Sequence, residues 1–144
     1  MLKFISKLDL QYLPQIADFV EKTLKNLGCK NKNLIHDLQL AVDEVSTNIM
    51  THGRTSQKKD HFIIQIHKEK EEIIIQVIDT GNPFPFDTLR PLSKNASVDE
   101  KLNYGFGITI IKTVTDESHY QSFLNKNVLS LIKKLPQEGA QHGY

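Results

Sequence analysis

The 144-residue sequence has one cysteine, no tryptophan and a formal net charge of only +1. A single cysteine, Cys29, excludes an internal disulfide and fits a reducing compartment. We expect it to be an inert residue in a loop at a helix end. The small net charge provides no general attraction to nucleic acid or to a membrane surface, so we expect neither as a direct partner.

Long hydrophobic segments are also missing. No run approaches the roughly 20 apolar residues of a membrane span, and the N-terminus lacks the apolar core of a signal peptide. The six histidines are scattered, without the i,i+4 spacing of a metal-ligand pair. These observations predict a cytoplasmic protein with one domain, residues 1–136, and a disordered tail, residues 137–144.

A long amphipathic helix is predicted from about Lys32 to Thr51. Its buried stripe is Leu34, Leu38, Ala41, Val45, Asn48 and His52, widened by Ile35, Val42 and Ile49. Asn48 stands where another apolar residue is expected, and Glu44 lies one turn earlier, within contact distance. Buried polar groups left unpaired cost ~1–3 kcal/mol. Their partner is therefore another side chain, or a metal with a phosphate.

The remaining patterns predict the element order β-α-α-β-β-loop-α-β-β. The predicted elements are an edge strand over 2–8, a helix from Tyr12 to Leu27, a hairpin of strands 62–66 and 73–78, a helix over 108–114, and strands 118–124 and 128–135 joined by a turn at Asn125–Asn127. Helices do not alternate strictly with strands. The fold class is therefore α/β (α+β): a two-layer sandwich whose mixed, mostly antiparallel sheet has helices on one face.

Two glycine-containing segments lie next to predicted elements. The first follows a strand, and the second precedes a helix. Asp79 ends an apolar strand, and its carboxylate can accept a hydrogen bond from an exocyclic amine. Gly81 has no side chain, so a ligand can approach the backbone closely. Gly105 and Gly107 leave N–H groups at a helix N-terminus free to face an anion such as a phosphate.

The segment between these two motifs, residues 82–104, contains three prolines and a polar centre. A loop of this length in a small domain is typical of a lid or binding loop, and it could cover bound phosphates. Its charged residues Arg90, Lys94 and Lys101 either touch phosphate or are solvated.

Taken in order, these segments resemble the ATP-binding domain shared by gyrase-type ATPases and histidine kinases. The match is to the small stand-alone anti-sigma-factor serine kinases, and it covers nearly the whole chain. The motifs are Glu44-x-x-x-Asn48-x-x-x-His52, Asp79-x-Gly81-x-Pro83-Phe84, Gly105-Phe106-Gly107-Ile108-x-Ile110-Ile111, and Asp116 with Tyr120. The resemblance implies a Bergerat-type ATP-binding fold.

The resemblance also implies a role for individual residues. Asn48 would coordinate Mg²⁺, and Glu44 would act as the base toward a protein serine hydroxyl. Asp79 would contact the adenine amine, with Gly81 against the ring. The remaining nucleotide-binding residues would be Gly105, Phe106, Gly107 and Ile108, whose glycines serve the phosphates. ATP and Mg²⁺ are the cofactors expected.

The function implied is that of an anti-sigma factor and Mg-ATP-dependent protein serine kinase. Such a protein phosphorylates a small antagonist protein, sequesters a sigma factor and tends to form a homodimer. This sequence departs from the wider pattern at Pro83, where many members of the superfamily have glycine. Anti-sigma kinases often have proline at this position too. It departs again at residues 127–130, Asn-Val-Leu-Ser, where many members have a Gly-Thr pair. No phosphoacceptor-histidine helix is present, so autophosphorylation on histidine is not expected.

Several alternatives remain open from the sequence alone. Glu44 could orient a magnesium-bound water instead of acting as the base, and His52 could line the pocket or interact with the helix dipole. The chain could be a nucleotide-gated switch that binds a partner without phosphorylating it. It could also bind no nucleotide, with Asn48 and Asp79 as structural polar residues.

Overall fold

The computed structural model describes residues 2–52, 61–81, 83 and 106–136. The elements are β1 (Leu2–Lys7), a 3-10 turn (Leu10–Tyr12), α1 (Leu13–Asn26), α2 (Lys32–His52), β2 (His61–Glu69), β3 (Glu72–Asp79), α3 (Phe106–Val114), β4 (Glu117–Phe123) and β5 (Lys126–Lys134). This is the predicted order of helices and strands. The predicted tail, residues 137–144, lies outside the described residues, and so does nearly all of the predicted lid.

The five strands form one sheet in the order β1-β2-β3-β5-β4. The sheet was expected to be mixed but mostly antiparallel, and every pairing within the described part of the chain is antiparallel. The predicted fold class is confirmed. The helix pair α1 and α2 returns the chain to the end of the sheet where β1 finished, so β2 runs in the opposite direction. Although β4 is parallel to β3, β5 lies between them and is antiparallel to both.

The core lies between one face of the sheet and the helices, with α2 in contact with both α1 and α3. Alternate strand residues supply the buried face, because successive side chains on a strand point to opposite sides. These residues are Phe62, Ile64 and Ile66 on β2, Ile73, Ile75 and Val77 on β3, and Leu129 and Leu131 on β5. The sheet therefore buries the face against which the described helices pack.

Helix α2 buries the stripe predicted from its sequence. The apolar members of that stripe are all at most 5% exposed, and Met50, which was not predicted, is also fully buried. The Asn31 side chain caps the helix, accepting a hydrogen bond from the Leu34 N–H at 3.0 Å. The preceding helix, α1, ends at Asn26, and Gly28 just beyond it has a left-handed φ of +95°, which favours glycine.

The turn between β4 and β5 differs from its prediction. The loop residues are Leu124 and Asn125, with φ of 49° and 61°, and Phe123 pairs with Lys126 across the hairpin. Positive φ at both central residues is typical of tight two-residue hairpins. Asn127 therefore belongs to the strand, where it stands opposite Asp79. The predicted turn at Asn125–Asn127 was wrong in this respect.

Cys29 is buried, and burial raises the pKa of its thiol despite the opposing charge of Lys68. The thiol therefore stays protonated near neutral pH, in agreement with the expected inert residue. None of the helices in the described ranges has both the length and the apolar character needed to cross a membrane.

Candidate nucleotide-binding and catalytic site

The polar pair on α2 lies at the inner side of the helix, as its spacing predicts. Asn48 is only 6% exposed, and its side-chain nitrogen has no hydrogen-bond partner among the described residues. Glu44, one turn earlier, is half-buried. A buried amide without a partner is expensive in a folded protein. The unpartnered nitrogen makes Asn48 a candidate ligand-binding residue.

Helix α3 places its first turn directly against this pair. A Cβ atom added to Gly107 would lie 3.0 Å from Oε2 of Glu44 and 3.4 Å from Nδ2 of Asn48. Only a residue without a side chain fits at this distance without displacing its neighbours. Two distant segments of the sequence, both predicted to serve one site, therefore meet here.

Ile108 follows Gly107 and is fully buried in the core, as is Ile111 one turn later. These side chains hold α3 against the rest of the domain. Only the backbone of Ile108 would then be available to a ligand at the helix N-terminus.

The local electrostatics suit Glu44 to accept a proton. Burial raises the pKa of its carboxyl group, and the negative charge of Asp43 raises it further. A carboxylate with a raised pKa holds a proton more readily than one in water, which is the property needed in a general base.

Asp79 ends β3 with its side chain on the helix-covered face, two residues beyond the buried Val77. It is 6% exposed. Burial raises the pKa of its carboxyl group, while hydrogen bonds from Asn127 and from the Gly81 backbone lower it. Both bonds reach the same oxygen, Oδ1, at 2.9 Å. The other oxygen, Oδ2, has no hydrogen bond within the described part of the chain.

Asn127 is a buried polar residue beside Asp79 that sequence reasoning missed, because it was assigned to the turn. The available signal was the alternation of Leu131 and Leu129, which places residue 127 on the same inner face. Antiparallel pairing then sets it directly opposite Asp79.

Other predicted site residues cannot be placed. Gly105 and the lid residues Arg90, Lys94 and Lys101 lie outside the described residues. Phe106 and His52 are described only in their backbones, as the first residue of α3 and the last residue of α2.

Comparison with known families identifies the domain that this site belongs to. The family model described as histidine kinase-like ATPase domain matches residues 7–133. The chain belongs to this family. The histidine kinase-like ATPase domain thus accounts for the two-layer fold and for nearly every residue that the structure describes.

Relatives of this ATPase domain include serine-protein kinases named RsbW. The Bacillus velezensis protein is 28% identical over 138 residues, covering 90% of this chain and 85% of the relative. The Bacillus subtilis protein is 26% identical over 136 residues, with 90% and 84% covered. A Staphylococcus aureus RsbW is 29% identical over 108 residues, covering 69% of this chain and 67% of the relative.

Solved structures share the fold at lower identity. The RsbU and RsbW domains of a Mycobacterium tuberculosis protein superpose with a TM-score of 0.62 at 13% identity, covering 96% of this chain and 34% of that one. This chain thus spans about a third of the length of that structure. The catalytic domain of histidine kinase ThkA gives a TM-score of 0.53 at 11% identity, with 93% and 98% covered.

Proposed function

We propose that this ATPase domain is a Mg-ATP-dependent protein serine kinase that acts as an anti-sigma factor. The observation that carries the proposal is the meeting of Glu44, Asn48 and Gly107 at the N-terminus of α3. The names of the RsbW relatives, serine-protein kinases, support the same reaction class and favour it over a switch without kinase activity.

The donor set on α2 fits a magnesium nucleotide. The described residues contain no cluster of three or more His, Cys, Asp or Glu that could hold a metal by itself. A magnesium ion would therefore depend on Asn48 together with phosphate oxygens and water, which is how Mg²⁺ is often held at nucleotide sites. The amide oxygen of Asn48 would be the metal ligand, and its unpartnered Nδ2 would donate a hydrogen bond to a phosphate oxygen.

ATP would supply the phosphoryl group, and the protein would supply position and charge. Glu44 would accept the proton of the attacking serine hydroxyl. Asp79 would accept a hydrogen bond from the adenine amine, with Gly81 against the ring. Gly107, with Gly105 beyond the described residues, would offer backbone N–H groups to the phosphates.

We further propose, from the family resemblance, the partners that this kinase would have. They are a sigma factor that the domain sequesters and a small antagonist protein that it phosphorylates on serine. A homodimer in the cytoplasm is part of the same proposal.

Alanine at Gly107 should disturb the reaction without disturbing the fold. The added methyl group would push the Glu44 carboxylate aside, because it would lie 3.0 Å from Oε2. Small misplacements of a reacting group are costly, so we expect transfer to fall by about 10-fold or more. Thermal stability should be unchanged or slightly higher, because alanine favours a helix over glycine.

Thr113→Ala is a matched control for this substitution, since it changes an exposed residue of the same helix. It should leave transfer at the level of the unchanged protein. A Gly107→Ala protein with full activity would contradict the close approach of α3 to Glu44.

The proposed function is tested by incubating the purified chain with radiolabelled ATP, Mg²⁺ and candidate antagonist proteins of the same organism. Phosphoserine on one of them, identified by mass spectrometry, is the expected result. ATP binding accompanied by partner release but no phosphoserine would indicate the nucleotide-gated switch. No ATP binding would contradict both functions.

A further inference from the structure

Asn127 makes three side-chain hydrogen bonds although it is only 2% exposed. Its Nδ2 donates to Oδ1 of Asp79 and to the backbone carbonyl of Gly81, both at 2.9 Å. Its Oδ1 accepts a hydrogen bond from Oγ of Ser122 at 2.8 Å. Both hydrogens of the amide are used within the protein, so Asn127 has no donor left for a ligand.

Among the described residues, this network leaves Oδ2 of Asp79 without a hydrogen bond at the end of β3. Oδ1 of Asp79 already accepts from Asn127 and from the Gly81 N–H. The Gly81 carbonyl is also engaged. Oδ2 of Asp79 is thus the oxygen available to a ligand, and the bonds to Oδ1 fix the plane in which it lies.

We propose that Asn127 is a positioning residue for base recognition, which holds Asp79 so that Oδ2 accepts one hydrogen bond from the amino group of a 6-aminopurine. This inference rests on the proposed ATP binding. It assigns an indirect role to the position where many relatives have a Gly-Thr pair. Here the side chain would select the base by orienting a carboxylate rather than by touching the nucleotide.

The physical reason is preorganisation. A carboxylate without the Asn127 bond could rotate about its side-chain torsion or take up water in place of the base. The hydrogen bond to an amino group would then be worth less, because the carboxylate would lose freedom on binding. Only nucleotides that carry the amino group would bind more weakly as a result.

The test compares two nucleotides in calorimetric titrations: ATP, and purine riboside triphosphate, which lacks the 6-amino group. The unchanged protein should bind ATP about 10–100-fold more tightly, the range expected for one hydrogen bond to a charged group. In Asn127→Leu this ratio should fall toward one, through weaker ATP binding, while affinity for the purine analogue stays nearly constant.

Two further variants keep the test decisive. Ser130→Ala removes a hydroxyl on the opposite face of the same strand, which accepts a hydrogen bond from Gln76 at 3.3 Å. This variant should leave the affinity ratio unchanged. Ser122→Ala removes only the bond to Oδ1 of Asn127, so it should lower the ratio in part. It decides the question if Asn127→Leu fails to fold.

Each outcome has a distinct meaning. An unchanged ratio in folded Asn127→Leu, or in Ser122→Ala when that variant must decide, would overturn the inference and leave the proposed function standing. Equal weakening of both nucleotides by Asn127→Leu would show a general structural role and would also overturn it. No binding of either nucleotide to the unchanged protein would remove the proposed function and the inference together.

Discussion

Replacing Glu44 with glutamine should reduce phosphoryl transfer to a protein serine by ~10²–10⁴-fold, the usual contribution of a general base. ATP affinity should change little, because glutamine keeps the shape of the side chain and Asn48 is untouched. Transfer is measured as initial rates of phosphoserine formation, and affinity by calorimetry on the same preparations. Transfer at the original rate would exclude Glu44 as the base.

The pH dependence of transfer gives an independent test of the same residue. Glu44 can accept a proton only when ionised, so the rate should fall as the pH drops through its raised pKa. Burial is the larger cause of that raised pKa and the Asp43 charge the smaller. Asp43→Asn removes the smaller cause, so the acid limb should move to lower pH. A limb that stays in place in Asp43→Asn would show that another group titrates.

Replacing Asn48 with alanine should abolish most of the magnesium dependence of ATP binding. Even supporting residues at metal sites contribute about 10–100-fold to metal affinity, so loss of a direct ligand should cost at least this much. The free protein should keep its stability or gain some, because the unpartnered buried amide costs folding free energy. Titrations with and without Mg²⁺, together with denaturant unfolding, measure both effects.

Asn33→Ala is a suitable control, since it removes an exposed amide near the start of the same helix. It should alter neither the affinity for magnesium nucleotide nor the stability by much. A marked loss of stability in Asn48→Ala would instead show a structural asparagine, as expected for a domain that binds no nucleotide.

The helices and strands could be predicted where the spacing of apolar residues in the sequence matches the face that the fold buries. Helix α2 shows its buried face at three- and four-residue spacing, and β2 and β3 are β-branched runs separated by a charged turn. Asn48 was visible for the same reason, because it breaks an otherwise apolar stripe. Such local patterns need no knowledge of the rest of the fold.

Contacts between segments far apart in the sequence were less accessible. No sequence pattern around Gly107 or Glu44 shows that these residues approach so closely that a side chain at position 107 would not fit. That approach depends on how α3 docks on α2. The sheet was likewise expected to be mixed and mostly antiparallel, and the insertion of β5 between β3 and β4 makes every described pairing antiparallel.

The misassigned turn has a specific cause. Asparagine is common in turns, because its side chain tolerates left-handed backbone and bonds to nearby backbone groups. Asn125 fits that description, with a φ of 61°. Asn127 has the same side chain but occupies the strand, where Asp79 stands opposite. Composition cannot distinguish the two residues, whereas the register of the sheet can.

The most direct test of the central claim is a calorimetric titration of the unchanged chain with ATP, in the presence and absence of Mg²⁺. A site built from Glu44, Asn48 and the N-terminus of α3 predicts saturable binding that strengthens with Mg²⁺, and a gain that Asn48→Ala loses. Absence of binding under both conditions, with no rise in thermal stability in excess Mg-ATP, would contradict it.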